Sequence, residues 1–236
     1  MSILDIFKKK EKVDENYVEK INLSKEEVHK VCLTKKPLQN LTSRVALVLD
    51  YSGSMDWQYK NGTVQSVLEK IFPIALEFDD NGQMECWLFH DTYKRLPDVN
   101  INNINNYVKN HILKHSMGGT KYSVVMKDIF TRYIKEEPSK LPNYVVFITD
   151  GDCFEDDKNE TTNVIKTYSK YPIFWQFVGL GTSKFAYLEK LDDLTDRYVD
   201  NADFFSVEET NEITYNKLLN EYPSWLENDK VKDMLK

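Results

Sequence analysis

Two kinds of apolar pattern alternate along this chain. An unbroken apolar run occupies 45–49, and short, largely apolar runs occupy 84–89, 144–149 and 172–180, with a weaker one at 202–207. Runs of that length, rich in branched and aromatic side chains, predict strands buried on both faces, as in a parallel sheet. Between them, apolar residues recur at helical spacing. Val64, Val67, Leu68, Ile71, Ile74, Ala75 and Phe78 draw one stripe over 63–78, with Pro73 inside it as an expected bend. Val124, Val125, Ile129, Phe130, Tyr133 and Ile134 draw a second. Further helices are expected over 13–36, from the asparagine-rich stretch through Val108, Ile112 and Leu113, and over 161–168, 185–191 and 208–225, while 92–96 predicts a short antiparallel edge strand. Strands alternating with helices define an α/β class: a doubly wound, mostly parallel Rossmann-like sheet flanked by helices, with an N-terminal helical extension. The chain divides accordingly into an extension over 1–39, a main domain over 40–222 and a C-terminal tail over 223–236.

Local signals sharpen this outline. Ser24 and Glu27 make a capping-box pattern ahead of Val28, Val31, Cys32 and Leu33, and Lys35, Lys36 and Pro37 supply a cationic end and a stop. Asp79, Asp80, Asn81 and Gly82 read as a turn.

Composition narrows the function classes. The 236 residues suffice for one sizeable domain plus an extension. A formal net charge of −7 argues against a general nucleic-acid binder, which needs a basic surface. No apolar run is long enough to span a membrane. The first twelve residues lack the pattern of a secretory signal, although Ile3, Leu4, Ile6 and Phe7 ahead of Lys8, Lys9 and Lys10 are compatible with either a surface anchor or a frayed, partner-docked terminus. Cys32, Cys86 and Cys153 are widely spaced, without a CxxC, so neither a disulfide framework nor a structural zinc site is expected, and the cytoplasm is the default location.

The candidate chemistry gathers where strands end. The run 45–49 closes in Asp50, followed by Ser52 and Ser54 at alternate positions with Gly53 between them. In an open α/β sheet, ligands bind just beyond the carboxyl ends of the strands. One carboxylate with two hydroxyls suits a hard cation such as Mg²⁺; the same residues also suit a polar turn bonded to nearby amides. Gly118 and Gly119 allow a tight turn before Thr120, whose hydroxyl is either another ligand or a helix cap. The run 144–149 ends in Asp150, with Asp152 close behind. Adjacent parallel strands would set Asp150 beside Asp50, and two such carboxylates repel unless a cation lies between them.

The set Asp50-x-Ser52-x-Ser54, then Gly118-Gly119-Thr120, then Thr149-Asp150-Gly151, resembles the metal-ion-dependent adhesion site (MIDAS) of von Willebrand factor A (vWA) domains over about 40–220. Within that family it is most similar to the bacterial A-domain proteins of tellurium-resistance and chemical-stress clusters. The resemblance implies that Ser52 and Ser54 ligate Mg²⁺ directly and Thr120 in a high-affinity state, while Asp50 and Asp150 act largely through waters. Ca²⁺ and Mn²⁺ are the alternative ions. An acidic side chain from a protein partner would complete the coordination, which implies binding and no catalytic residues. The competing reading is a Mg²⁺-dependent phosphatase or phosphotransferase with Asp50 as nucleophile; against it, Ser52 stands where a second aspartate would be required.

Other candidates carry less. His111 and His115 have a helical spacing that can bind zinc, without the glutamate of a metalloprotease. Glu155, Asp156, Asp157 and Glu160 read as an acidic helix start. Asp91 reads as a strand-end turn residue, and Trp57 with Tyr59 as an apolar rim beside the metal loop.

Overall fold

A computed structural model of the chain describes residues 15–79 and 81–236. The basic N-terminal stretch and Asp80 therefore lie outside the described residues. Among the described residues, six strands form one sheet: β1 (Arg44–Asp50), β2 (Met84–Phe89), β3 (Tyr93–Val99), β4 (Asn143–Thr149), β5 (Ile173–Leu180) and β6 (Ala202–Val207), in the order β3-β2-β1-β4-β5-β6. Only β3 runs antiparallel, pairing with β2. It extends beyond the expected 92–96 and carries Pro97, which an edge strand tolerates because its outer face needs no donors.

The central strands are apolar throughout because both faces are covered. On β1, Val45, Leu47 and Leu49 join one buried cluster, while Ala46 and Val48 join the other. The first cluster is closed by α1 (Glu15–Thr34) and α3 (Thr63–Phe78); α2 (Asp56–Lys60) lies between β1 and α3 in the chain. The second is closed by α4 (Tyr122–Phe130), α5 (Glu155–Tyr168) and α6 (Ala186–Asp192). This is the doubly wound, mostly parallel α/β sheet that the apolar pattern predicts.

Several local expectations fail for identifiable reasons. Ser24 and Glu27 do not start a helix: α1 begins at the first residues described and runs straight through them. Pro73 does not interrupt α3, where it is buried among apolar neighbours. The asparagine-rich stretch resolves into turns and a short π-type helix, Val108–Ile112. Asparagine side chains there bond backbone instead of capping a long helix, with Asn103 Nδ2 donating to the Asp98 carbonyl at 2.8 Å.

The helix expected over 208–225 is broken into α7 (Tyr215–Leu218) and α8 (Tyr222–Glu227), and α9 (Asp229–Met234) follows beyond it. Three sequence features start these pieces. The Thr214 hydroxyl caps α7, Pro223 stands in the first turn of α8, and the Asn228 side chain caps α9. Trp225, Leu226 and Val231 are buried in the first cluster, so 223–236 is packed against the core.

Candidate metal site at the ends of the first and fourth strands

Successive strands lead outward in opposite directions from β1 and β4, so the sheet has its topological switch point between these neighbours. A crevice opens at the carboxyl ends of strands at such a point. Asp50 is the last residue of β1 and fully buried. Its Oδ1 accepts from the Ser52 amide at 2.8 Å, and its Oδ2 accepts from the Thr149 hydroxyl, at the end of β4, at 2.6 Å. Beyond it, the hydroxyls of Ser52 and Ser54 lie 3.1 Å apart. Ser54 then donates to Asp150 Oδ1 at 2.8 Å. Ser52, Ser54 and Asp150 are thus joined through side-chain hydrogen bonds, and Asp50 is held to Ser52 through the Ser52 amide.

The fifth, Thr120, arrives on a loop threaded alongside. Gly53 N donates to the Gly118 carbonyl at 3.0 Å, and Gly118 N to the Tyr51 carbonyl at 3.3 Å, so the two loops pair as a short parallel bridge. The paired glycines serve close approach. A Cβ on Gly118 would lie 2.5 Å from His90 Nδ1, and one on Gly119 2.4 Å from the Phe154 ring. Asp91, read in the sequence as a turn residue, accepts from the Gly119 amide at 2.7 Å and so fixes the loop that carries Thr120.

Thr120 does not cap the following helix. That task falls to Asp157, which accepts from the amides of Tyr122 at 2.7 Å and Ser123 at 3.1 Å, at the start of α4. Spacing alone does not signal this, because Asp157 sits inside an acidic run whose other members face solvent. Tyr122, now anchored, places its hydroxyl on Thr149 Oγ1 at 3.2 Å and on the Gly151 carbonyl, bracing the end of β4 from below. Of the expected apolar rim, Trp57 is 70% exposed, whereas Tyr59 is buried and donates to the Asp50 carbonyl at 2.7 Å. Tyr59 supports the loop after β1 from inside and is no part of a rim.

Burial dominates the electrostatics. It pushes the Asp50 carboxyl up to about 7 against the opposing bonds from Thr149 and Ser52, with the Asp150 charge adding to the rise. Burial also raises Asp150, against the Ser54 bond. Among the described residues, no lysine or arginine ion-pairs with either carboxylate. The donor set is therefore two carboxylates and nearby hydroxyls, all oxygen, with no fixed cation, which fits a hard divalent ion.

A second acidic group was not legible in the sequence. Asp192, Asp203 and Glu221 each bring a carboxylate oxygen within 4.8 Å of the others, a cluster capable of holding a divalent cation. No motif spacing links them. His111 and His115 belong to no such cluster among the described residues; burial holds both imidazoles below their usual range.

Residues 42–235 match the vWA-TerF-like family, the vWA found in the TerF C terminus, and the chain belongs to that family. Domains of this kind are generally non-catalytic interaction modules. The protein YcbR of Bacillus subtilis (strain 168) is 42% identical over 224 residues, covering 92% of this chain and 90% of its own length. Among solved structures, proximal thread matrix protein 1 of the mussel byssus superposes with a TM-score of 0.53 at 14% identity, over 83% of this chain and 45% of that one. The SpRpn10 VWA domain gives 0.51 at 11% identity, over 77% and 95%. This chain thus spans under half the length of the mussel protein, and at these identities the likeness is one of fold. Among the described residues, no helix is long and apolar enough to cross a membrane.

Proposed function

We propose that this protein is a Mg²⁺-dependent interaction module, working in the cytoplasm within a bacterial tellurium-resistance or chemical-stress response system. Asp50, Ser52, Ser54, Thr120 and Asp150 would hold the ion, with Ca²⁺ or Mn²⁺ as possible substitutes. The ion would supply an electrophilic point for a carboxylate from a protein partner. The observation that carries this reading is the hydrogen-bonded chain Ser52–Ser54–Asp150 at the switch point, beside a buried Asp50. We further take 40–222 as the A domain proper, with 1–39 as an N-terminal helical extension and 223–236 as a C-terminal tail.

The same geometry disfavours the phosphotransfer alternative. A nucleophilic aspartate must present an oxygen to the phosphoryl group. Asp50 is fully buried, and both its oxygens already accept hydrogen bonds.

The test is partner capture from a lysate of the source bacterium in Mg²⁺ and in chelator. Partners held by the wild type only in Mg²⁺, and lost on Asp50→Asn, support the reading. An identical partner set in all conditions contradicts it.

A further inference from the structure

At the far end of the sheet from Asp50, three acidic side chains converge from separate elements. Asp192 closes α6, Asp203 lies near the start of the edge strand β6, and Glu221 immediately precedes α8. Their oxygens lie within 4.8 Å of one another. Asp203 is only 5% exposed, and its Oδ2 has no hydrogen-bond partner. A buried carboxylate oxygen left unpaired is costly, and this one belongs to a side chain turned toward two like charges.

Nearby cations do not resolve the conflict. The Arg197 guanidinium is engaged with Asp200 at 2.7 Å and with the backbone carbonyl of Asp192 at 2.5 Å. Lys35 donates to the Leu219 carbonyl at 2.7 Å. Their fields reach Glu221 and Asp203, yet among the described residues no lysine or arginine ion-pairs with any of the three acids. Burial, then mutual repulsion, accordingly pushes Asp192 up to about 7 and raises Glu221.

An ion with metal–oxygen distances of about 2.3–2.6 Å bridges oxygens up to about 5 Å apart, and it takes six to eight oxygen ligands. Glu221 also lines a cleft of about 510 Å³, with Asn220 and Trp225 in its wall, which leaves room for waters to complete the coordination. We propose that Asp192, Asp203 and Glu221 form a second, structural site for a hard divalent cation of the Ca²⁺ type. The ion fastens the C-terminal helices to the edge of the sheet, independently of the site at Asp50.

The experiment uses the full chain carrying Asp50→Asn, stripped with chelator, so that its outcome is separate from that of the proposed MIDAS. Tb³⁺, followed by tryptophan-sensitised luminescence and displaced by Ca²⁺, reads occupancy. Thermal unfolding reads the consequence. The expected result is saturable, Ca²⁺-displaceable Tb³⁺ binding, weakened at least tenfold by adding Glu221→Gln or Asp192→Asn. Ca²⁺ in 100-fold excess over its Kd raises the melting temperature by about 5–10 °C, and that rise disappears in the added variants. In chelator, Glu221→Gln melts no lower than its parent, because it removes one repelling carboxylate; this separates loss of the site from loss of the fold. Unchanged Tb³⁺ affinity in both added variants overturns the proposal, as does a parent whose melting is unmoved by Ca²⁺.

Discussion

The Ser54 hydroxyl donates to Asp150 Oδ1 at 2.8 Å, tying the loop after β1 to the tip of β4 across 96 positions of sequence. The bond makes the first loop report on the fourth strand. Ser54→Ala should cost about 1 kcal/mol of stability in chelator, the net worth of one such hydrogen bond. It should also weaken Mg²⁺ binding at least tenfold. Denaturant melts with and without Mg²⁺ check both halves, since the loss in Mg²⁺ should exceed the loss in chelator.

Gly119 is held between Phe154 and Asp91. A Cβ there would stand 2.4 Å from the Phe154 ring and 2.5 Å from Asp91 Oδ1. Gly119→Ala should therefore displace the Thr120 loop, destabilising the fold by about 1–3 kcal/mol, as overpacking does. Metal affinity should fall with it, as titration calorimetry would read. Gly53 is a fitting control, because nothing lies within 4 Å of a Cβ placed there.

Away from the site, Asp128 anchors β3 and β2 to α4. It accepts from Arg95 at 2.7 and 2.9 Å and from the Trp87 indole at 2.8 Å. Burial alone would raise its carboxyl, but the bonds from Arg95 and Trp87 win and hold it below the usual range. A depressed carboxyl adds stability above its unfolded pKa of about 3.9 and loses it as the pH falls through the folded value. Asp128→Asn should cost about 2–3 kcal/mol at neutral pH, in line with charged hydrogen bonds. The gap from wild type should stay level down to about pH 5 and close below about pH 4. Urea melts across that range measure it.

Trp57 is an exposed aromatic on α2, just past the loop that follows β1. Trp57→Ala should leave stability within about 0.5 kcal/mol, as exposed substitutions do, and Mg²⁺ affinity unchanged. Partner capture should nonetheless drop several-fold if the rim contributes apolar area to the interface. Calorimetry paired with the pull-down separates the two effects.

The parts legible in the sequence are those written in contiguous residues. Val45 to Leu49 read as a buried strand because both faces of β1 are covered, and the alternation of strands with helical stripes carries the doubly wound sheet. The positions of Asp50, Ser52 and Ser54 follow from one short loop. Long-range relationships left no such trace. Asp157 caps a helix 34 residues upstream of it, and Asp192, Asp203 and Glu221 meet only once α6, β6 and α8 are packed. The C-terminal region misled through its composition: apolar residues at helical spacing outweighed Thr214 and Pro223, each of which stands at the start of a new helix. Tyr59 looked like a rim residue beside Trp57, yet it turns inward to the Asp50 carbonyl.

The claim that the switch-point oxygens hold a divalent cation is tested most directly by calorimetric titration of Mg²⁺ into chelator-stripped wild type and Asp50→Asn. Asparagine keeps the shape of the side chain: its oxygen can still accept from Ser52, and its amide can donate to a rotated Thr149 hydroxyl. With both proteins carrying Glu221→Gln to remove the second acidic cluster, the expected result is one saturable Mg²⁺ event with Asp50 present that disappears with Asp50→Asn, at an unchanged circular dichroism spectrum. Equal Mg²⁺ binding by both proteins would contradict it.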